Sequence, residues 1–213
     1  MKSTFVYLDY IDKLRKRLDT ESPFIQVLLG PRQVGKTTSV LRMIEEHYSS
    51  SAFYVSSDDH FNPDAEWLAE QWLTAASEKR ILFVDEIQKV FNWPETIKRL
   101  YDNAKRQGSL VPCVLLVSSS LQIQKGLTES LTGRFQLTRA YHWNFQESAA
   151  GYGLSFDEYQ KYGGYPGSYP LISSNDWADY VKTSIIETVV EKDILQFQNV
   201  KNPALFRQAF DIL

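Results

Sequence analysis

Residues 24–38 read Phe-Ile-Gln-Val-Leu-Leu-Gly-Pro-Arg-Gln-Val-Gly-Lys-Thr-Thr, and this stretch decides the fold. A largely apolar run ends at Leu29, a turn bounded by two glycines follows, and an amphipathic run begins at Lys36. The spacing matches the phosphate-binding P-loop pattern, in which backbone N–H groups surround a polyphosphate and the next helix directs its positive dipole end towards it. Because a strand signal precedes the turn and a helix signal follows it, we interpret the match as a true phosphate-binding loop.

The residues of this loop have separate predicted roles. Lys36 would reach the β and γ phosphates, and the hydroxyl of Thr37 would ligate Mg²⁺. Gly30 and Gly35 stand where the chain must bend tightly or let oxygen atoms approach, which a Cβ would obstruct. Backbone amides would bind the phosphate oxygens. The predicted phosphate-binding set is Gly30, Gln33, Val34, Gly35, Lys36, Thr37 and Thr38.

A second informative stretch, residues 81–86, has four apolar residues followed by two carboxylates. In P-loop enzymes, an aspartate that closes a buried strand holds the magnesium shell, and a glutamate directly after it polarises the attacking water. We therefore predict that Asp85 is a metal ligand together with Thr37, and that Glu86 is the general base. The structural alternatives are a helix cap for Asp85 and a solvated salt bridge for Glu86.

Serines follow another buried run, residues 111–117. At the carboxyl end of a strand in this architecture, the side chains of Ser118 and Ser119 can contact the γ phosphate or the lytic water. Three consecutive serines also make an ordinary helix cap. Both interpretations are open from the sequence.

An arginine, Arg134, stands between a predicted helix over residues 121–132 and a strand-like run that starts at Phe135. Its guanidinium could neutralise charge on the transferred phosphoryl group, either within its own subunit or from a neighbouring one. The structural alternative is a surface ion pair.

The apolar spacing of the remaining chain predicts alternating strands and helices, which is typical of a parallel α/β sheet. Asn62-Pro63 supplies the start signals of the helix after the second strand, and Gly108 ends the helix that opens at Trp93. The predicted strands cover residues 24–29, 52–55, 81–84, 111–117 and 135–143, and the predicted helices cover residues 7–18, 36–48, 64–76 and 93–107.

Beyond Glu147 the composition shifts towards glycine and tyrosine, which marks a candidate boundary. We assign residues 1–150 to a P-loop core and residues 151–213 to a helical lid or linker. Ser155 and Glu158 predict a capping box, and a broad apolar face predicts a helix over residues 176–197. A last apolar pattern runs to the final residue without a cap, so we expect the natural chain to continue.

Composition narrows the classes of function. The chain of 213 residues has a formal net charge of -3, so binding to nucleic acid would need a local basic patch. A single cysteine, Cys113, excludes an internal disulfide and a Cys-based zinc site. Because we find neither a signal-peptide core nor an apolar run long enough to cross a bilayer, we expect a cytoplasmic location and no membrane partner.

Four motifs follow one another along the chain: residues 30–38, Val84-Asp85-Glu86-Ile87-Gln88, Ser130-Leu131-Thr132-Gly133-Arg134 and Gly163-Gly164-Tyr165-Pro166. In this order they resemble the prokaryotic AAA-like P-loop ATPases that carry a C-terminal domain of uncharacterised function. The resemblance spans nearly the whole chain, and it implies a three-layer α/β P-loop NTPase sandwich. In that family a five-stranded parallel sheet has the order 5-1-4-3-2, and a small helical segment follows it.

The resemblance also implies a function, the hydrolysis of ATP with Mg²⁺. Its site roles fall on Lys36, Thr37, Asp85 and Glu86, while the Arg134 motif is shared without a settled role. Relatives often have Thr-Gly-Ser where this chain has Val117-Ser118-Ser119. They also continue into a winged-helix-like region and a nuclease-like domain, which implies a DNA or protein partner bound through a missing C-terminal domain. Assembly into a homo-oligomer is a further expectation.

We therefore expect an ATPase, and two alternatives stay open. One is a slow nucleotide-dependent binding switch, in which hydrolysis acts as a timer. The other is a P-loop kinase for a small molecule, although the pair Asp85-Glu86 fits water activation better. GTP is disfavoured because the sequence has no Asn-Lys-x-Asp segment that would read guanine.

Overall fold

Five parallel strands form one sheet in the computed structural model, which describes residues 5–118 and 129–188. The spatial order is β2-β3-β4-β1-β5, and every neighbouring pair of strands is parallel. The predicted order 5-1-4-3-2 is the same sheet viewed from its other edge, so the prediction is confirmed. The strands are β1 Ile25–Gly30, β2 Ala52–Ser56, β3 Ile81–Asp85, β4 Cys113–Ser118 and β5 Phe135–Arg139.

Four helices in the first half of the chain match the predicted apolar patterns closely. One start signal was wrong: the carboxylate of Asp64 accepts hydrogen bonds from the amides of Glu66 and Trp67, so the cap is Asp64 and not Asn62-Pro63. An aspartate at this position satisfies two of the free N–H groups of the first turn. Gly108 ends its helix with φ of 66°, as predicted. The helices are α1 Asp9–Asp19, α2 Lys36–Met43 with a π-helical extension Ile44–Tyr48, α3 Ala65–Glu78 and α4 Trp93–Gln107.

Shorter helices follow β5. The predicted capping box is present, because Ser155 and Glu158 exchange side chain to backbone hydrogen bonds at the start of Phe156–Tyr162. The helix Phe145–Tyr152 was not predicted, although Asn144 and Glu147 form an equivalent capping box at its start. Asp176 begins a helix as predicted, Asp176–Tyr180, which continues as a π-helical stretch Val181–Ile186. Most of the predicted helix over residues 121–132, and everything predicted beyond residue 188, lies outside the described residues.

The sheet separates two apolar layers. Alternate residues of a strand point to opposite faces, and in β1 the side chains of Val27 and Leu29 join the layer under α3 and α4. Leu28 joins the other layer, which α1 and α2 cover. All six residues of β1 are buried, as expected for a central strand covered on both sides. No helix in the described part of the chain combines the length and apolarity needed to traverse a bilayer.

Gly30, the last residue of β1, is constrained by the chain after β5. A Cβ added to Gly30 would lie 2.5 Å from the carbonyl oxygen and 2.7 Å from the Cβ of Ala140. The backbone of Ala140 is fixed by its own hydrogen bond to the carbonyl of Leu29, at 2.8 Å. A glycine is therefore required here by packing within the protein, whereas the open space around Gly35 and its φ of 88° fit the predicted tight bend.

We expect Gly30→Ala to lower the free energy of unfolding by about 1–3 kcal/mol, because the added methyl group overpacks against backbone atoms. Urea denaturation without nucleotide measures this loss. Unchanged stability together with weaker nucleotide binding would instead show that Gly30 serves only the approach of phosphate oxygens.

Candidate functional site

The loop between β1 and α2 lies at the carboxyl edge of the sheet. Gln33 and Gly35 have left-handed backbone conformations, with φ of 62° and 88°. Lys36 opens α2 and is 7% exposed, and its Nζ donates to the carbonyls of Gly30 at 3.0 Å and Pro31 at 2.6 Å. The lysine thus holds a positive charge over the loop.

The carboxylate of Asp85 lies beside this loop, at the end of β3. Its Oδ2 accepts a hydrogen bond from the Thr37 hydroxyl at 2.6 Å and another from the Tyr54 hydroxyl at 2.9 Å. Its Oδ1 accepts from the backbone amide of Glu86 at 2.8 Å. A carboxylate and a hydroxyl that converge in this way are oxygen ligands of the kind that Mg²⁺ prefers. Thr37 and Asp85 therefore fit a magnesium site, as the sequence predicts.

Tyr54 is a site residue that the sequence analysis missed. It lies on β2, the strand that pairs with β3, and its neighbour in register is Phe83. Burial, together with the negative charge of Asp85, raises the pKa of Tyr54 well above its ordinary value. Its hydroxyl thus stays protonated and continues to donate to Asp85. A polar-tipped aromatic residue in a short, partly buried strand was the available signal.

Glu86 follows Asp85 and has a left-handed backbone, with φ of 50°. Its Oε1 accepts a hydrogen bond from the Ser118 hydroxyl at 3.0 Å, and its Oε2 accepts one from the side-chain amide of Gln88. A guanidinium nitrogen of Arg32 lies 3.7 Å from the same Oε2. Non-glycine residues in strained conformations often occur at functional sites, where the surrounding structure maintains them.

The two serines predicted after β4 are only partly described. Ser118 is 2% exposed, and it contacts the carboxylate of Glu86 from the last position of β4. Ser119 lies outside the described residues. The structure therefore brings Ser118 to the same place as the candidate general base.

A cavity of about 590 Å³ is lined by the loop, by the first turn of α2 and by Glu86. Its opposite side is formed by Thr183, Ser184 and Thr188, which come from the helical stretch near the end of the described chain. Gln33 joins the two sides: its Nε2 donates to the Ser184 carbonyl at 2.7 Å, and its Oε1 accepts from the Tyr180 hydroxyl at 3.2 Å.

A second cavity, of about 530 Å³, adjoins the first and has aromatic walls. The two cavities share loop residues, and the indole of Trp143 donates to the carbonyl of Val34 at 3.1 Å. Sequence analysis missed this pocket, because its residues are distributed from one end of the described chain to the other. The lining residues include Phe5, Val6, Gly35, Thr38, Trp143, Tyr152, Pro166, Gly167 and Tyr180.

The Gly-Gly-Tyr-Pro motif builds one wall of this pocket. A Cβ at Gly164 would lie 2.3 Å from the carbonyl oxygen of Trp143, so only glycine fits at this position. The amide of Trp143 donates to the Gly164 carbonyl at 3.0 Å. The close contact sets Pro166 and Gly167 against the loop side of the pocket.

Arg134 lies at the amino ends of the strands, on the side of the sheet opposite the loop. Its backbone carbonyl accepts from the amide of Ile25, the first residue of β1, whereas the loop follows the last residue of that strand. At about 3.3 Å per residue, the length of β1 separates the two edges by roughly 16 Å. The guanidinium donates to both oxygens of Asp102, at 2.7 and 2.9 Å.

The structure therefore does not bring Arg134 to Lys36 within one subunit. It forms the ion pair that the sequence left open as an alternative, and a role at a neighbouring subunit's site stays a prediction. The hydrogen bonds from Arg134 lower the pKa of Asp102 below its ordinary value, and they raise the pKa of the guanidinium.

Comparison with known proteins gives two family matches. Residues 22–149 match the model of a family described as an AAA domain, and residues 153–213 match a domain of unknown function, DUF8612. An uncharacterised protein of Methanocaldococcus jannaschii, MJ1544, is 25% identical over an alignment of 198 positions, which covers 84% of this chain and 43% of that protein. The chain thus spans less than half the length of this relative.

Two solved structures are similar at low identity. Aeropyrum pernix ORC1 in complex with DNA has a TM-score of 0.47 at 16% identity, over 65% of this chain and 46% of that chain. The Thermotoga maritima RuvB Holliday junction branch migration motor has a TM-score of 0.43 at 17% identity, over 69% of this chain and 50% of that chain.

We expect Asp102→Asn to lower the free energy of unfolding at neutral pH by only about 0.2–1 kcal/mol. The side chain of Asp102 is 36% exposed, so solvent screens its ion pair with Arg134. Because the folded-state pKa of Asp102 is lowered, this contribution is present above the unfolded-state pKa and is lost as the pH falls through the folded-state value. Urea unfolding of both proteins over a pH series measures it. A difference that persists at low pH would contradict the ion-pair explanation.

Proposed function

We propose, since the chain belongs to the AAA domain family of P-loop NTPases, that it binds ATP with Mg²⁺ and hydrolyses it to ADP and phosphate. One observation supports this most strongly. The Thr37 hydroxyl and the Asp85 carboxylate, from two separate elements, meet at 2.6 Å beside the phosphate-binding loop. Glu86 and Lys36 both line the cavity of about 590 Å³ over this loop.

The triphosphate would occupy the cavity over the loop. Backbone amides from Gln33 to Thr38 would bind its oxygens, as the left-handed conformations of Gln33 and Gly35 turn successive amides towards one side. Lys36 would exchange the carbonyls of Gly30 and Pro31 for phosphate oxygens, which carry full negative charge. The adenine ring of ATP would enter the aromatic pocket that adjoins the loop.

Thr37 and Asp85 would hold the magnesium ion, which when bound neutralises phosphate charge. Tyr54 would keep the carboxylate of Asp85 oriented through its hydrogen bond of 2.9 Å. Partners of this kind fix the ligand's direction and are needed for tight metal binding.

Glu86 would accept a proton from the attacking water. Ser118 would hold the carboxylate at the cavity wall through its hydrogen bond of 3.0 Å to Oε1. The water oxygen forms a bond to the γ phosphorus as the bond to the bridging oxygen breaks, and ADP leaves. In-line attack requires little more of the protein than this positioning.

The site also bears on the alternatives. A kinase would need a bound acceptor in place of water, and a switch would bind ATP while hydrolysing it slowly. We propose further that the cycle serves a DNA- or protein-directed process. We propose too that Arg134 reaches a neighbour's site in an oligomer.

The first test is release of phosphate from ATP and Mg²⁺ with no acceptor added. We expect turnover by the wild type, and for Lys36→Ala an ATP affinity lower by about 10- to 100-fold, because a charge-assisted contact to phosphate is lost. Circular dichroism should show an intact fold. Lys16→Ala, an exposed lysine on α1, is the matched control and should behave as the wild type. Equal ATP affinity of the wild type and Lys36→Ala would remove the site assignment.

The second test separates binding from chemistry. We expect Glu86→Gln to reduce phosphate release by about 10²- to 10⁴-fold, because the amide cannot accept the proton. Its ATP affinity should stay within about fivefold of the wild type, since no phosphate contact is removed. Calorimetric binding and single-turnover release measure the two quantities. Full turnover by this variant would rule out Glu86 as the base.

A further inference from the structure

One charged residue of the phosphate-binding loop has no role in the mechanism above. Arg32 lies between Pro31 and Gln33 and borders the same cavity as Lys36. Its side chain is 24% exposed, and that of Glu86 is 20% exposed. The loop thus presents a second cation to this cavity, and that cation faces the candidate base.

The contact between Arg32 and Glu86 is an ion pair at 3.7 Å, which is too long for a hydrogen bond. Gln88 also engages Oε2, and Ser118 engages Oε1. Among the described residues, Arg32, Gln88 and Ser118 thus contact the Glu86 carboxylate, and Arg32 is the charged one of these three. A pair of this length, still partly open to solvent, is easily exchanged for a stronger partner.

A terminal phosphate is such a partner. It carries more charge than a carboxylate, and its oxygens match the planar fork of a guanidinium, which binds them through two parallel hydrogen bonds. The cavity that Arg32 borders is where the proposed function puts the γ phosphate. ADP has no group that would reach the same position.

We propose that Arg32 detects the γ phosphate by binding it. Its guanidinium pairs with Glu86 in the nucleotide-free protein and exchanges this partner for the terminal phosphate when ATP binds. The transfer leaves Oε2 of Glu86 with Gln88 as its remaining described neighbour and makes room for the attacking water. ADP leaves the pair in place. The inference rests on the proposed function and adds a substrate-contacting residue that discriminates ATP from ADP.

The test compares the affinities of ADP and of a non-hydrolysable β,γ-imido analogue of ATP, both with Mg²⁺, by calorimetry. We expect Arg32→Ala to weaken the analogue by about 10-fold or more and ADP by less than about threefold. The Michaelis constant for ATP should rise as well. Arg32→Lys keeps the positive charge but lacks the planar guanidinium, so its affinity for the analogue should lie between those of the wild type and Arg32→Ala. This variant also provides the test if the alanine variant is unstable. Arg15→Ala, which removes an ion-paired arginine of α1, is the matched control.

A double-mutant cycle tests the exchange itself. Removing the charge of Glu86 removes its ion pair with Arg32 in advance, so we expect Glu86→Gln to bind the analogue about two- to fivefold more tightly than the wild type. This gain should vanish when Arg32→Ala is added. A gain that persists without Arg32 would overturn the proposed exchange.

The two proposals can fail separately. If the wild type binds neither nucleotide, the proposed function is wrong. If the wild type binds and hydrolyses ATP, but Arg32→Ala weakens the analogue and ADP equally or weakens neither, only the role of Arg32 is wrong.

Discussion

A buried carboxylate is tolerated inside a protein when donors or a cation surround it, and Asp85 meets this condition with three hydrogen-bond donors. It is 4% exposed, and it receives hydrogen bonds from α2, β2 and the residue after β3. The same contacts join the start of α2 and strand β2 to the end of β3.

Sequence alone predicts the parts of the candidate site that depend on neighbouring residues. The glycine spacing around Lys36 and the apolar run before Asp85 each identify a strand followed by a functional turn, and parallel strands bring such turns to one edge. Thr37 and Asp85 could therefore be paired in advance. The sheet order came from family resemblance, because periodicity assigns strands to faces but not to neighbours.

Other parts of the site could not be predicted, for physical reasons. Arg134 follows a glycine and has the right chemistry, but only strand register shows that it directly precedes β5 and lies beside the start of β1. The aromatic pocket joins Phe5 to Tyr180, and no local pattern reports such a distance along the chain. The packing of Gly30 against Ala140 could not be predicted either, because Ala140 is 110 residues away in the sequence.

Gln33 gives the molecule a property that neither of its two family regions has alone. One end of its amide binds the Ser184 carbonyl and the other binds the Tyr180 hydroxyl, while its backbone belongs to the loop. The side chain of Gln33 thus lines the cavity over the loop and also contacts the chain's later helices. A ligand in this cavity that displaced the Gln33 contacts would shift the later helices, and a molecule bound to those helices would change the affinity of the cavity by an equal free energy.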